Sequence, residues 1–264
     1  MIVGQLRSGP LVLAAGSALD SGPMELIQAA AGAGFDAVGL RLSHGRMPSR
    51  REITDLYRRA NDLGVFIHDI EVHRIGEGTD VGPLIEAASA LGAAWLLVVS
   101  DLNEEAATID EIARIGASAR SAGVEIGLEY MAWTTPGDPG AALRVAQAAD
   151  CSIVVDVLHH HRVGARVVEM RDLVLSRRLG WVQLCDAPLS APDDLVHEAR
   201  HDRLAPGTGR LPLAALMGLI PDGIAVSVEV QSDALARSMT PAQRAVHLAA
   251  AALPYLGFSG TGLT

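Results

Sequence analysis

VEIGLEYM (124–131) is followed by DPGAALRVAQAAD (138–150) and then by CSIVVDVL (151–158). The outer two segments are short and nearly continuous in apolar side chains, as strands buried on both faces are. The middle one spaces its apolar residues at helical period, behind an aspartate and a proline suited to a helix start. A strand, a helix and a second strand in this order make one crossover unit of a parallel sheet.

The same alternation runs the length of the chain. Further strand-like runs are LVLAAGS (11–17), FDAVGLRL (35–42), VFIHDIEV (65–72), AWLLVVSD (94–101), WVQLCDA (181–187) and IAVSVEV (224–230), so the expected strands number eight. Helical segments between them include MELIQAAAGAG (24–34), SRREITDLYRRANDLG (49–64), VGPLIEAASALG (81–92) and TIDEIARIGASARSAG (108–123), with glycines placed to terminate them. A last helix starts at Thr240-Pro241. Eight such units with no break in composition predict a single domain over 1–264, an α/β fold of the closed (β/α)8 TIM barrel type. A doubly wound open sheet is the alternative, weakened because no Gly-rich dinucleotide fingerprint follows the first strand.

Composition narrows the chemistry. Every basic residue is arginine, which excludes a lysine Schiff base, a lysine-linked pyridoxal phosphate and a phosphate-loop lysine. A formal net charge of −10 argues against binding nucleic acid or an anionic membrane through a broad basic surface. Cys151 and Cys185 are too few for a disulfide framework, and a reducing cytoplasm is the expected compartment. Leu11–Ala15 after Arg7 is short for a signal peptide and reads as a strand, and no apolar stretch reaches the ~20 residues that span a bilayer.

Glu129 stands inside an apolar strand, where an unpaired carboxylate costs several kcal/mol unless a partner compensates it. In a barrel, polar groups at the C-terminal strand ends point into the mouth. Asp156 ends the sixth run, Gln183 lies in the seventh and Glu229 ends the eighth, at intervals of 27, 27 and 46 residues. Equal spacing by one repeat predicts equivalent positions on adjacent strands, hence convergence in one layer. Three carboxylates so placed repel one another unless a cation intervenes, and a divalent metal held by Glu129, Asp156, Gln183 and Glu229 meets that need. An all-oxygen set suits Mn2+ or Mg2+, with Co2+ as a substitute, better than zinc.

This set, with His159 three residues after Asp156, Gln183 in VQLCDAP, the loop RLAPGTG (203–209) and Glu229 in VSVEV, resembles the xylose isomerase-like barrel superfamily, in particular its sugar phosphate isomerase/epimerase branch. The resemblance implies a carbohydrate-metabolising enzyme in which the four strand-end residues hold one divalent ion. It also implies that the glutamates at either end, Glu129 and Glu229, act on substrate protons, and it singles out His159. Gln183 stands where histidine is commoner. That departure is similar to the 3-dehydroshikimate dehydratases of the same superfamily.

Other residues complete the expected site. His159 is placed to hydrogen-bond a substrate oxygen, while His160 and His161 read as solvated loop residues. Arg203, beside a Pro/Gly turn whose amides form an anion nest, is a candidate to bind a substrate carboxylate or phosphate. His68 and Glu71 are expected to line the mouth, whereas Asp69, of opposite parity, should meet the helices or a salt-bridge partner. Asp186 is expected to orient His159 or Arg203, and Arg41 either to contact substrate or to pair with an acid.

A metal chelated this way polarises a carbonyl and acidifies the neighbouring C–H, so an enediolate forms. Glu129 or Glu229 would take the proton; return from the opposite side yields an epimer or isomer, whereas loss of a β-hydroxyl yields an unsaturated ketone. The expected function is therefore a metal-dependent isomerase or epimerase of a keto-sugar or cyclic hydroxy-ketone, with a dehydratase of the 3-dehydroshikimate or inosose type as the alternative. A barrel endonuclease is disfavoured, because Ser100-Asp101 and Gln183 stand where a three-zinc site needs histidines. A non-catalytic subunit, and a homo-oligomer or a partner at the long loop before the eighth strand and the Ala-rich last helix, are compatible with the chain.

Overall fold

The computed structural model describes residues 9–43, 45–76 and 78–256; Arg7 lies outside them. The strands are β1 (Leu11–Leu13), β2 (Ala37–Arg41), β3 (Phe66–Ile75), β4 (Trp95–Ser100), β5 (Glu125–Glu129), β6 (Ser152–Asp156), β7 (Leu179–Leu184) and β8 (Ala225–Val228). They close in sequence order into a parallel barrel, with β1 paired to β8. Helices α1 (Pro23–Ala33), α2 (Arg50–Leu63), α3 (Gly82–Leu91), α4 (Glu105–Ser121) and α5 (Pro139–Ala149) follow the first five strands. After β6 come α6 (Val157–Arg162) and α7 (Val167–Leu175), after β7 come α8 (Leu195–His201) and α9 (Leu213–Met217), and α10 (Asp233–Ser238) and α11 (Pro241–Ala252) complete the ring. The (β/α)8 barrel expected from the alternation is the observed architecture.

Local chemistry sets the helix ends. Ser49 and Glu52 form a reciprocal capping box on α2, and Thr240 and Gln243 do the same on α11. Gly64, at φ 70°, ends α2 in the left-handed conformation that glycine adopts without a Cβ penalty. Among the described residues no helix is long and apolar enough to cross a membrane.

Two apolar layers result. Leu13, Val38, Leu40, Ile67 and Ile70 are among the strand residues that pack outward on the helices. Val12, Ala37, Leu97, Val99, Met131, Val154, Trp181 and Ala225 fill the barrel itself. The Trp181 indole is fully buried and lies over Gly127, where a Cβ would stand 2.3 Å from Cζ3. That contact explains the glycine inside VEIGLEYM: the large side chain of β7 occupies the space a β5 side chain would need.

Departures from the expected elements have physical causes. The run 11–17 stops as a strand at Leu13, and Ala15–Ala18 wind into a 3-10 turn. The run 151–158 stops at Asp156, whose carboxylate caps a helix containing all three histidines, so His160, expected to be solvated, is buried alongside His159. In β3 an extra residue slips the alternation, because Val38 to Leu40 of β2 pair with Ile67 to Ile70. Asp69 consequently turns from the helices and meets the other expected alternative, an ion-pair partner, with His68 Nδ1 at 2.8 Å from its Oδ1. Its Oδ2 lies 2.9 Å from the Cβ position of Gly39, which faces inward between the outward Val38 and Leu40.

Candidate active site

The barrel register places the strand-end polar groups. Asp156 pairs with Gln183, but Glu129 pairs with Val154, and Gln183 pairs with Ser227, two residues short of Glu229. The single layer expected from equal spacing is thus a staircase, the stagger that closing a barrel of tilted strands imposes. A step of two residues keeps side chains on the same face, so all four still turn inward. Glu129, Gln183 and Glu229 line a cavity of about 330 Å3 at the mouth, with Arg41, Glu71, Met131, Trp133, His159 and Arg203 among its other walls.

Asp156 is held on every side. Oδ1 accepts from the N–H groups of Leu158 at 2.7 Å and His159 at 3.1 Å, and Oδ2 is bonded by Nη1 of Arg203. Burial works to raise the Asp156 pKa, but Arg203 holds it below the usual aspartate value. Glu129 is the opposite case. Among the described residues its carboxylate accepts no hydrogen bond, and the His159 ring stands nearby, with Nε2 at 3.8 Å from Oε1. Burial, then the nearby Glu229 and Asp156, push its pKa well up. Burial also lowers His159 to about 4, so its ring is neutral near pH 7 and Nε2 is an acceptor facing Arg203 Nη2 at 3.4 Å.

Ligand atoms of Glu129, Asp156 and His159 lie within 4.8 Å of one another, a spacing that could hold a metal ion. Glu229 falls outside this trio and joins it through Arg203, whose Nη1 is 3.4 Å from Glu229 Oε2. An imidazole nitrogen thus stands beside the expected oxygen donors. The donor set fits a dication. Glu129, Asp156 and Glu229 carry three negative charges when ionised against the one positive charge of Arg203, and Oε1 of Gln183 is buried without a hydrogen-bond partner. Such an atom has the chemistry of a neutral oxygen donor to a hard cation.

Against this geometry, a family model described as xylose isomerase-like TIM barrel matches residues 27–252. The chain belongs to the xylose isomerase-like TIM barrel family. The 3-dehydroshikimate dehydratase of Pseudomonas aeruginosa is 28% identical over 240 residues, covering 83% of this chain and 37% of the relative. The enzyme of the same name from Pseudomonas putida is 26% identical over 219 residues, covering 74% and 33%. The chain thus spans about a third of the length of these curated relatives. Among solved structures, an IOLI protein with a bound zinc atom superposes with a TM-score of 0.80 at 16% identity, over 94% of this chain and 98% of that one. D-Psicose 3-epimerase with D-tagatose, from Clostridium cellulolyticum H10, gives 0.72 at 13% identity, over 95% and 99%. These two likenesses concern the fold.

Within this xylose isomerase-like barrel several expected roles change. Arg203 lines the cavity with its guanidinium engaged by the protein: Nε donates to the Ala199 carbonyl at 2.7 Å, Nη1 to Asp156, and Nη2 faces His159. It is a buried counter-ion. Burial opposes its charge, but Asp156 and Glu229 hold its pKa well above the usual value. The RLAPGTG turn does form an anion nest, and the anion is Asp186, which accepts from the N–H groups of Gly207 at 3.0 Å and Gly209 at 2.9 Å. Asp186 also accepts from Ala187 at 2.8 Å and Leu211 at 3.0 Å, so it fixes the loop that carries Arg203 rather than touching Arg203 or His159.

His68 is not among the cavity walls; its Nδ1 is 2.8 Å from Asp69 Oδ1, and its ring meets Trp181 edge-on below the mouth. Glu71 does line the cavity, and Oε2 accepts from Arg41 Nη2 at 2.8 Å while Oε1 is buried without a partner. Burial raises Glu71 to about 8 against the pull of Arg41. The pairing of Tyr130 Oη with His160 Nδ1 at 2.6 Å was invisible in sequence. His160 Nε2 lies 3.0 Å from the Arg166 carbonyl, so Nε2 carries the proton, Nδ1 accepts from the tyrosine, and α6 is tied to the end of β5.

Proposed function

We propose that the chain is a divalent-cation-dependent enzyme that removes a proton beside the carbonyl of a small hydroxy-ketone and expels a β-hydroxyl, as a dehydratase of the 3-dehydroshikimate type. The observation that supports it is the unbonded Glu129 carboxylate, beside Asp156 and in one cavity with Glu229 and Gln183, whose Oε1 has no hydrogen-bond partner. The curated relatives, and glutamine at position 183, favour the lyase outcome over the isomerase outcome expected first. Glu129, Asp156, Gln183 and Glu229, with His159 at the edge of the set, would hold Mn2+, Mg2+ or zinc. When bound, the ion supplies Lewis-acid polarisation of the carbonyl and adjacent hydroxyl.

The chain's own groups account for the proton. Glu129, ionised when a cation offsets the neighbouring acids, takes it from carbon, and its carboxylate has no competing donor among the described residues. The C–H electron pair becomes the new C=C bond, the C–O bond breaks, and Glu129 hands the same proton to the departing hydroxyl, which leaves as water. Asp156, kept ionised by Arg203, does not exchange protons in this sequence. The neutral His159 ring, set edge-on to Trp133 at 5.2 Å, orients a substrate oxygen, and Met131 and Trp133 shield that side from water.

A second reading, epimerisation, has one observation in its favour. Glu129 ends β5 and Glu229 directly follows β8, three strand positions apart around the ring, so each can address a different face of a bound carbon. Protein loaded with Mn2+, Mg2+ or zinc, incubated in D2O with 3-dehydroshikimate and a panel of keto-sugars, separates the two. Rising absorbance from a conjugated product supports the lyase; deuterium on carbon without that absorbance supports the epimerase. Neither signal with any metal would overturn the proposal.

A further inference from the structure

The best-defined unexplained contact at the mouth is made by the turn that replaces the end of the first expected strand. Gly16 lies in that turn, Ala15–Ala18, and the three atoms nearest to its Cβ position are all from Glu229: Oε1 at 2.4 Å, Cγ at 2.8 Å and Cδ at 3.0 Å. No real Cβ tolerates such distances, so the glutamate side chain rests directly on the glycine backbone.

Ser17, the next residue, bonds to both chain neighbours of Glu229. Its hydroxyl donates to the Val228 carbonyl at 2.9 Å and accepts from the Val230 N–H at 2.9 Å. The ladder between β1 and β8 ends at the Leu13 to Val228 rung, so these two bonds continue it by side chain past Glu229. On the other flank the Glu229 N–H donates to the Leu184 carbonyl at 3.1 Å, and Gln231 Nε2 donates to Glu229 Oε1 at 3.1 Å.

We propose that Gly16 is a positioning residue for Glu229: the missing Cβ lets the carboxylate lie against the β1 turn, while Ser17 fixes the peptides on either side, so the first strand sets where the last strand's glutamate meets a cation. Glu229's part as a ligand comes from the proposed function; its placement by Gly16 does not. The backbone at Gly16 has no left-handed φ, so an alanine there is conformationally acceptable. Its methyl group meets first a flexible side chain that is able to yield, which makes Gly16→Ala a probe of Glu229 rather than of the fold.

A double-variant cycle tests this: wild type, Gly16→Ala, Glu229→Ala and the pair, read by Mn2+ titration followed by EPR and by the melting midpoint of the metal-free proteins. Gly16→Ala should weaken Mn2+ binding by about tenfold or more when Glu229 is present and by less than about twofold when position 229 is alanine. The midpoint should drop by about 3 °C or more in the first background and be unchanged in the second. Equal effects of Gly16→Ala in both backgrounds on both readouts, including none in either, would overturn the proposal. If the wild type binds no Mn2+, the proposed function fails as a Mn2+ site, and the melting cycle alone decides the role of Gly16.

Discussion

Arg203 and Asp156, 47 positions apart in sequence, form an ion pair in which both side chains are almost wholly buried. Removing one partner of such a pair leaves an uncompensated charge, at a typical cost of about 3–5 kcal/mol. Arg203→Met should therefore destabilise the protein by about that amount in urea unfolding, with Mn2+ restoring part of the loss by replacing the missing charge. A loss below about 1 kcal/mol would mean that Asp156 takes up a proton freely in this site.

Asp186 offers a sharper test of loop architecture. Both of its oxygens accept two backbone N–H groups each, and an asparagine amide nitrogen accepts none. Asp186→Asn should cost about 2–4 kcal/mol by stranding two donors, and should loosen Arg203 along with its loop. Faster amide exchange at Gly207 and Gly209, compared with the wild type, checks this directly.

Burial raises Glu71 to about 8 from the ordinary glutamate value of 4.5, and Glu129 and Glu229 shift in the same direction. The native state then binds more protons than the unfolded state above pH 4.5, so stability falls as pH rises. Metal-free protein should be most stable below pH 4.5 with respect to these groups and lose that contribution up to about pH 8. Denaturant midpoints across this range should show the decline, and Glu71→Gln should reduce its slope; a midpoint rising with pH there would contradict the buried acids' direction.

Cation binding should run the other way. Ligand carboxylates must be ionised, so Mn2+ affinity should increase with pH and binding should release protons from Glu129 and Glu229. Titration in a weakly buffered indicator solution measures the release. Absence of proton release at every pH above 4.5 would remove these glutamates from the ligand set.

Glu129→Gln separates catalysis from support. The variant keeps the shape of a side chain that accepts no hydrogen bond, so its melting point should lie within about 3 °C of the wild type or above it. Turnover of any substrate found by the D2O screen should fall by about a hundredfold or more. A large stability loss with turnover intact would reverse the assignment.

Alternation of apolar runs with helical segments was enough to predict the closed eight-stranded ring, because strand and helix periods are local properties of side-chain pattern and each unit can bury its apolar face in only a few ways. The inward-facing acids were legible for the same reason, since burying Glu129 in VEIGLEYM needs an explanation from chemistry. Only the tertiary structure decided how those acids are related: the two-residue stagger of the ladder, Arg203 brought from a loop to stand between Asp156 and Glu229, Asp186 filling the nest that a ligand was expected to fill, and Asp69 turned inward by the extra residue in β3. Register, bulges and long-range ion pairs are set by closure of the ring and by which donors remain unsatisfied after packing, and neither quantity is written in the pattern of any one segment.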